Sequence, residues 1–409
     1  VVVGLLVSFT MYFGAPFSTL RENLTDRLYV GGTPPPNVVI AAIDERTLSA
    51  VDLRINAWPR AKHAKAVDNL AAAGARVIVF DVLFAEKSED DAELVRAVQE
   101  AGNVIMPAAG ILVREEMELA GTFVKAPVVA GEYQFTRFVK PRAQFVDVAY
   151  GIGHANMPPG PGDKVRHIAV TVSSMDGERY STLSAAAVVA QFGRDPHAPL
   201  IVAGENVARI PPSPRALSKQ VPINDTRGMR INFTGGPGTM PAISYIDVIE
   251  NNFAPEKVAG KIVFIGATAA GIGDAKAPPI GDEMPGVEVH ANSADTILRG
   301  RFITDPDPQI TLLTMLALTA LVSLTVPLLR LLWSMVINVA VVFGYVILTA
   351  TMFQNGVVLE LLSPLILAMV MFIAMMLYRN LAERAERNQV TGLFGTYVGQ
   401  GPVAEAVLA

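Results

Sequence analysis

The chain has 409 residues, of which 51% are hydrophobic and 17% are charged, with a mean hydropathy of +0.38 and a net charge of −5. This composition is too apolar for a purely soluble protein and favours a membrane protein with a large soluble domain. The sequence has no basic cluster, which argues against nucleic-acid binding. It also has no cysteine, which excludes disulfide bonds and thiol chemistry.

The chain begins with a short apolar run, Val1–Phe13, in which only Ser8 and Thr10 are polar. A helix that spans a membrane needs roughly 20 apolar residues. We therefore interpret residues 1–19 as the C-terminal part of a first transmembrane helix. The alternative is the apolar core of a cleavable signal peptide.

Two further apolar runs, Val38–Ile43 and Val77–Phe80, each end at an aspartate, Asp44 and Asp81. Continuous apolar runs of this length are typical of strands that are buried on both faces of a sheet. The segment between them, Ala61–Ala73, has the spacing of an amphipathic helix. Strand, helix and strand in this order predict a βαβ unit and a parallel sheet.

After residue 108 the helix and strand pattern is less regular, and we assign no element to residues 110–142. Asp147–His154 and Arg166–Ser174 are predicted as neighbouring strands joined by a loop rich in Pro and Gly. We expect residues 20–308 to form one α/β domain with a mixed sheet. Further predicted helices are Ser88–Ala101, Ser181–Phe192, Ser244–Asn251 and Pro285–Leu298, and further predicted strands are Asn103–Ala108, Leu200–Ala203, Met229–Phe233 and Lys261–Gly266.

Residues 309–378 predict three transmembrane helices in succession. The runs Ile310–Leu329, Leu331–Phe353 and Val357–Tyr378 are each about 20 residues long, which is enough to cross a hydrocarbon core of about 30 Å. With the first helix, the chain would span the membrane four times. Residues 379–409 begin with a polar linker that is predicted to be helical. The start of a further, cytoplasmic domain is predicted after it.

Arginines flank these helices on one side only. Arg330 lies between the first two, and Arg379, Arg384 and Arg387 follow the third, whereas residues 354–356 carry no basic side chain. The positive-inside rule places the arginine side in the cytoplasm and residues 20–308 outside it. A composition rich in Ala, Gly and Pro favours a bacterial protein, and we expect it in the plasma (inner) membrane.

Five residues of the outer domain are candidates for ligand binding: Asp44, Trp58, Arg60, Asp81 and Asp274. Polar groups at the carboxyl ends of parallel strands line the crevice where α/β proteins usually bind ligands. Two carboxylates there can hold a hard cation or pair with an arginine. The alternative is structural: the aspartates cap turns, the arginine closes an internal ion pair and the tryptophan packs in the core.

Other sites have weaker support in the sequence. Residues 266–273 are rich in glycine, but they lack the spacing of a dinucleotide fold and the lysine of a P-loop, so we predict a structural turn. The five histidines do not have metal-ligand spacing, and we predict no metal or cofactor in this stretch. Motifs of serine hydrolases, zinc proteases and glycosidases are absent, so we predict no catalytic residues.

Several separated motifs of residues 20–308 occur in an order that resembles CHASE2 extracytoplasmic sensor domains. The resemblance implies a receptor that senses an unknown extracytoplasmic ligand, and three transmembrane helices after the sensor are usual in such receptors. The motifs are Val39–Asp44, Trp58–Arg60, Leu70–Ala75, Val79–Phe84, Lys261–Asp274 and Pro285–Asn292.

The segment Leu393–Leu408 resembles the lead-in of class III adenylate/guanylate cyclase domains in these receptors. That resemblance implies a cyclase output that makes cyclic AMP or cyclic GMP from ATP or GTP with Mg²⁺ or Mn²⁺, and a homodimer, because class III sites form between two chains. Leu377, Leu381 and Arg384 are spaced for a short parallel dimer seam. The alternatives are a histidine or Ser/Thr kinase output and, from another class, a transporter or channel subunit.

Overall fold

The structure is a computed structural model, and it describes residues 17–51, 58–112, 127–196, 200–202, 206–210, 212, 218–272, 274–305 and 307–398. The chain divides into two compact units. One is Asp26–Asp305, which we call the α/β domain, and the other consists of the chain before and after it, which we call the helical unit.

The helices, numbered in chain order, are α1 (Ser18–Asp26), α2 (Glu45–Val51), α3 (Arg60–Ala72), α4 (Asp91–Ala101), α5 (Ala143–Val146), α6 (Leu183–Gln191), α7 (Tyr245–Ile249), α8 (Gly286–Arg299), α9 (Pro308–Leu328), α10 (Leu331–Gln354) and α11 (Leu362–Val398).

The strands are β1 (Val38–Ile43), β2 (Val77–Phe80), β3 (Val104–Ile111), β4 (Val128–Val129), β5 (Glu132–Phe135), β6 (Arg137–Val139), β7 (Gly151–His154), β8 (His167–Ala169), β9 (Thr171–Ser174), β10 (Arg179–Ser181), β11 (Ile201–Val202), β12 (Val207–Ile210), β13 (Lys219–Pro222), β14 (Gly228–Arg230), β15 (Ala242–Ser244), β16 (Ile262–Ala267), β17 (Ala275–Lys276) and β18 (Met284–Pro285).

A mixed sheet forms the centre of the α/β domain, as the sequence predicts. Within the described residues it has seven strands in the order β15-β1-β16-β2-β3-β6, with β7 also paired to β3. β6 runs antiparallel to β3, and the other pairings are parallel. The carboxyl ends of β15, β1, β16, β2, β3 and β7 therefore lie along the same edge of the sheet.

Each face of this sheet is covered by its own hydrophobic core. Along β1, Val38, Ile40 and Ala42 pack in one core, which also contains the apolar residues of α6 and α8. The alternate residues of β1 pack in the second core, with those of α3, α4 and α7. All six residues of β1 are buried, which explains why the strand is a continuous apolar run instead of an alternating one.

β1, α3 and β2 form the predicted strand–helix–strand unit of a parallel sheet, with β16 lying between the two strands and pairing with both. Three other predicted strand features differ from the structure. The predicted strand Asp147–His154 starts only at Gly151, since helix α5 and a turn precede it. Arg166–Ser174 is split at Val170 into β8 and β9. β7 and β8 are also not neighbours: β7 pairs with β3, and β8 with β14.

The helical unit contains three helices that are long and apolar enough to cross a membrane, within the part of the chain that the structure describes. α9 and α10 agree closely with the first two predicted spans. The third begins later than predicted, because Glu360 is buried and accepts a hydrogen bond from the backbone N–H of Ser363 at 3.0 Å, just before α11 becomes regular. It ends later because the polar linker, which the sequence predicts to be helical, continues the same helix. α11 then continues for 37 residues without a break.

An ion-pair cluster holds the N-terminal end of the α/β domain. The Arg166 guanidinium donates to both carboxylate oxygens of Asp26, at 2.7 and 2.9 Å, and Lys164 Nζ lies 3.0 Å from the same group. The Arg166 side chain is 1% exposed and that of Asp26 is 5% exposed. A bidentate pair with so little access to water fixes the position of Asp26 firmly.

A second cluster holds the C-terminal end of the same domain. His167 Nε2 lies 3.0 Å from the Asp305 carboxylate, and Arg230 Nε donates to it at 2.7 Å. Burial alone would raise the pKa of Asp305, but Arg230 and His167 hold the pKa well below its usual range. Arg166 and His167 are consecutive, so one short stretch of chain anchors both ends of the domain.

We expect Arg166→Leu to lower the free energy of unfolding by about 3 kcal/mol, because the buried Asp26 carboxylate keeps its charge but loses its bidentate partner. The matched control is Arg96→Leu, whose partners Asp68 and Glu100 are 40% and 63% exposed. That control should cost less than about 1 kcal/mol. Denaturant unfolding of the full chain in detergent micelles measures both, and equal losses would contradict the role of Arg166.

Candidate functional site

Asp44 lies at the start of α2 and acts as a helix cap. Its Oδ1 accepts hydrogen bonds from the Thr47 backbone N–H at 2.9 Å, the Thr47 hydroxyl at 2.6 Å and the Ser244 hydroxyl at 2.9 Å. Burial raises the pKa of Asp44, but these hydrogen bonds outweigh it and lower the pKa below its usual value. The carboxylate is therefore occupied by donors of its own domain.

Trp58 lies in the core, 1% exposed. Its ring stacks on Tyr245 with centroids 6.2 Å apart and an interplanar angle of 9°, and on His63 at 5.9 Å. His63 Nδ1 is 2.8 Å from the Tyr245 hydroxyl, which satisfies the polar end of the tyrosine. These contacts join α3 to α7 and give Trp58 a packing role.

Arg60 is also buried, at 4% exposure, and it points towards α4 instead of towards Asp44 or Asp81. Its Nε lies 3.4 Å from Asp91, which also accepts a hydrogen bond from Arg142 at 2.8 Å. The guanidinium carbon is 4.7 Å from the centroid of the Phe84 ring. Arg60 therefore closes an internal ion pair and a cation–π contact.

Asp81 and Asp274 are brought together at a cavity of about 350 Å³. The cavity opens at the carboxyl edge of the parallel sheet, where β2, β7 and β16 end beside Pro107 and Ala109 of β3. The first residues of α8 close one side. Asp44, Trp58 and Arg60 do not line it. The lining residues are Asp81, Leu83, Pro107, Ala109, Ala155, Met157, Ala267, Asp274, Gly286 and Val287.

The absence of a side chain at Gly266 lets α8 approach the sheet at this cavity. A Cβ at Gly266 would lie 2.7 Å from the Val287 Cβ and 3.2 Å from the Asp81 Cβ, closer than the backbone can allow without a shift. The first turn of α8 is tied down by the Gly286 N–H, which donates to the Asp274 carbonyl oxygen at 2.9 Å. The cavity therefore has a fixed wall at this helix terminus.

The two carboxyl groups of the cavity have different surroundings. Asp274 is 66% exposed and pairs with Lys276, whose Nζ lies 2.5 Å away. The carboxyl group of Asp81 makes no hydrogen bond or ion pair with any described residue, although its backbone N–H donates to the Ile265 carbonyl oxygen at 2.8 Å. Burial and, second, the negative charge of Asp274 raise the pKa of Asp81 to about 7, against a smaller opposing effect of Lys276. Asp81 is thus a carboxyl group that changes charge close to neutral pH.

The histidines of the domain are mostly structural. His63, His154 and His290 are buried, and burial is the main reason why the pKa of each falls to about 3. His167 belongs to the Asp305 cluster, and His197 lies outside the described residues. In the part of the chain that the structure describes, no group of three His, Asp or Glu side chains is arranged to hold a metal ion.

Residues 268–272 form a turn that follows β16, in agreement with the structural interpretation of this glycine-rich stretch. The backbone N–H groups of Thr268 and Ala269 donate to the Ile43 carbonyl oxygen at 3.0 and 3.1 Å, and that of Ala270 donates to Glu45 Oε1 at 2.9 Å. These donors are occupied by the protein itself. Gly273, the last residue of the predicted turn, lies outside the described residues.

An open α/β sheet with a cavity at its carboxyl edge is the usual geometry of a ligand-binding domain. The family model of the CHASE2 domain matches residues 2–329. The chain belongs to the CHASE2 family. CHASE2 is an extracellular sensor domain, which is consistent with a receptor role. No curated protein and no solved structure matches the chain.

The CHASE2 part of the sequence resemblance is therefore confirmed, and the cyclase part stays a prediction. Of the five predicted site residues of this CHASE2 domain, two, Asp81 and Asp274, line one cavity. The other three stabilise the fold: one caps a helix, one packs in the core and one closes an internal ion pair. The apolar wall and Lys276 were missed by sequence reasoning. Lys276 follows Asp274 by two residues, and that spacing was the one available signal; Leu83, Ala109 and Met157 carry no chemical signature.

We expect the contribution of Asp81 to the stability of the fold to fall as the pH rises from about 4 to about 7. An unfolded aspartate has a pKa of 3.8 and the folded one about 7, so in this window the folded state binds one more proton. Asp81→Asn stays uncharged throughout. Its stability relative to the unmodified chain should grow by about 1–3 kcal/mol between pH 5 and pH 8.

Thermal unfolding of the full chain in detergent micelles at a series of pH values measures this difference. Asp68→Asn is the matched control, since Asp68 lies on the exposed face of α3 and is 40% exposed. It should leave the pH dependence of the unmodified chain in place. A difference between Asp81→Asn and the unmodified chain that does not change with pH would contradict the environment described for Asp81.

Proposed function

We propose that this chain is the sensor and membrane portion of a homodimeric bacterial receptor. In this proposal the α/β domain lies outside the cytoplasm, four helices cross the plasma membrane, and the segment after α11 leads into a class III nucleotidyl cyclase. The observation that carries the proposal is a CHASE2 sensor domain followed directly by three apolar helices, α9, α10 and α11.

The proposed orientation is supported by contacts inside the helical unit. Arg379 Nη1 donates to the backbone carbonyl oxygens of Val326 and Leu329, at 3.2 and 2.8 Å, and thus satisfies acceptors at the C-terminal end of α9. Arg379 and the Arg330 turn therefore lie at the same end of the three helices. Basic residues concentrated at one end favour the cytoplasmic side for that end.

We expect two single-cysteine variants to report this orientation, because the chain itself contains no cysteine. Lys257→Cys is exposed in the α/β domain, and Glu386→Cys is exposed on α11. In intact cells a membrane-impermeant maleimide should label Lys257→Cys, and it should label Glu386→Cys only after the membrane is opened. The reverse pattern would place the sensor in the cytoplasm and overturn the proposed topology.

The length of α11 supports a dimer. Its 37 residues correspond to about 55 Å, and roughly 20 of them are enough to span the membrane. Residues 380–391 of the remaining turns are exposed in one chain. Isolated helices of this length are marginal in water, so a second copy of α11 packed alongside would stabilise them. The apolar positions Leu377 and Leu381 are exposed and available for that contact.

A route for the signal follows from the two ion-pair clusters. Arg166 and His167 hold Asp26 and Asp305, the residues at which the α/β domain meets the chain on its way to the membrane. A shift of β8 would therefore displace both connections together. In the proposed receptor this displacement changes the pose of α11 in the two chains, and with it the geometry of the paired cyclase domains, which use ATP or GTP with Mg²⁺ or Mn²⁺.

We expect the full-length protein, purified in nanodiscs, to make cyclic AMP or cyclic GMP from the nucleoside triphosphate when Mn²⁺ or Mg²⁺ is present. Removal of residues 20–308 from the dimer should change its basal cyclase activity, since in this proposal the sensor sets the relative position of the two cyclase domains in the absence of a signal. Phosphoryl transfer to protein without cyclic nucleotide would identify a kinase output instead. Unchanged basal activity and regulation after the deletion would contradict the proposed sensor control.

A further inference from the structure

The cavity at the carboxyl edge of the sheet has one carboxyl group that its own domain leaves unpaired. Asp274 is paired with Lys276 at the rim, whereas the carboxyl group of Asp81 makes no hydrogen bond or ion pair with any residue that the structure describes. The buried aspartates Asp26 and Asp91 have arginine partners, whereas Asp81 is partly exposed. Asp81 differs from them in facing a cavity.

The charges around the cavity favour a cationic occupant over an anionic one. Lys276 is the basic side chain near the two carboxylates, and its charge is already matched by Asp274. The positive end of the α8 dipole also lies here, but one of its N–H groups is used by the Asp274 carbonyl, and the first turn of the helix has a carboxylate of its own, Glu288. An anion would therefore meet Asp81, whereas a cation would complete its pairing.

The remainder of the wall is apolar. Leu83, Met157 and Val287, with the smaller Ala109 and Ala155, contribute hydrocarbon surface on several sides. A fully hydrated metal ion gains nothing from such a wall, and hard cations need more oxygen ligands than these two carboxylates supply. A cation with a hydrocarbon body would use both parts of the cavity, the single charge and the apolar surface.

We propose that this cavity binds a small organic ammonium ion, with its ammonium group on Asp81 and its hydrocarbon body against Leu83, Ala109 and Met157. The volume of about 350 Å³ lies within the range of small-molecule sites. This inference deepens the proposed sensor role and rests on it for its biological meaning. The binding itself is a property of the α/β domain and needs no output domain.

The protonation of Asp81 adds a second signature. Because its pKa is about 7, the carboxyl group is mostly neutral at pH 6 and mostly charged at pH 8. A cation binds to the charged form, so the site must release a proton before it can bind the ammonium ion at pH 6. The apparent dissociation constant should therefore fall by about tenfold from pH 6 to pH 8. An anion at the same place would show the opposite trend.

The test uses the full chain in detergent micelles and three matched sets of probes. Each set is an amine, the alcohol and the carboxylic acid of one hydrocarbon body: propyl, benzyl and cyclohexylmethyl. Thermal shift and isothermal titration calorimetry at pH 6 and pH 8 measure binding. MgCl₂ is measured in the same way to test for binding of a metal ion. At least one amine should bind at least tenfold more tightly than its alcohol or acid. The same amine should bind more tightly at pH 8 than at pH 6.

Two variants locate the binding. Asp81→Asn keeps the shape of the side chain and should abolish amine binding at both pH values, whereas the matched Asp68→Asn should not alter it. Ala109→Leu fills the cavity without changing its charge and should weaken binding of the larger amines most. Because Asp81→Asn is expected to stabilise the fold at pH 8, loss of binding in that variant would not be an effect of unfolding.

Each contrary outcome overturns the inference in a distinct way. Absence of binding by all three amines at millimolar concentration would rule out the ammonium site. Tighter binding of the acids, or of MgCl₂, would assign the cavity to another class of ligand. Amine binding that survives Asp81→Asn would place it elsewhere on the chain. None of these results depends on cyclase activity, so failure of the amine site is distinguishable from failure of the proposed output.

Discussion

Burial of the parallel sheet on both faces is the constraint on which the α/β domain depends. Strands with apolar side chains on both faces need helices on both sides, and α6 and α8 cover one face while α3, α4 and α7 cover the other. The backbone of these strands is satisfied by its neighbours in the sheet. Polar groups are consequently confined to the ends of the strands, and this confinement produces both the helix cap at Asp44 and the cavity at Asp81.

Asp44 and Asp81 follow equivalent strands but have different environments because of what comes after them. A helix begins immediately after Asp44, and Thr47 with Ser244 of the adjacent strand supplies three donors to its carboxylate. After Asp81 the chain runs through a non-helical stretch until α4, ten residues later. No described donor reaches Asp81 from that stretch, so its carboxyl group remains directed to the cavity.

Local pattern was sufficient for most elements of the fold, because continuous apolar runs and helical periodicity depend on nearby residues. Strand order was not predictable in the same way. β16 lies between β1 and β2 although it follows β2 by about 180 residues in the chain, and no local signal specifies that insertion. The split of residues 166–174 at Val170 also follows from pairing, since β8 and β9 have different partners.

The candidate site was predictable in part for the same reason. Its acidic residues are visible in a sequence as polar positions at strand ends, and two of them do share a cavity. The environment that sets their chemistry comes from distant segments, since Ala109, Met157 and Val287 meet Asp81 only in the folded domain. The pairing of Arg60 with Asp91, and of Arg166 with Asp26, likewise depends on contacts that spacing does not encode.

The uninterrupted helix α11 has a consequence for how the segment that follows it can vary. From Leu365 to Thr391 the sequence contains neither glycine nor proline, so the helix has no built-in point of flexibility there. Each residue added to such a rod turns whatever follows by about 100° and moves it by about 1.5 Å. Relatives that preserve the facing of their output domains should therefore differ in this stretch by about seven residues, or two turns, at a time.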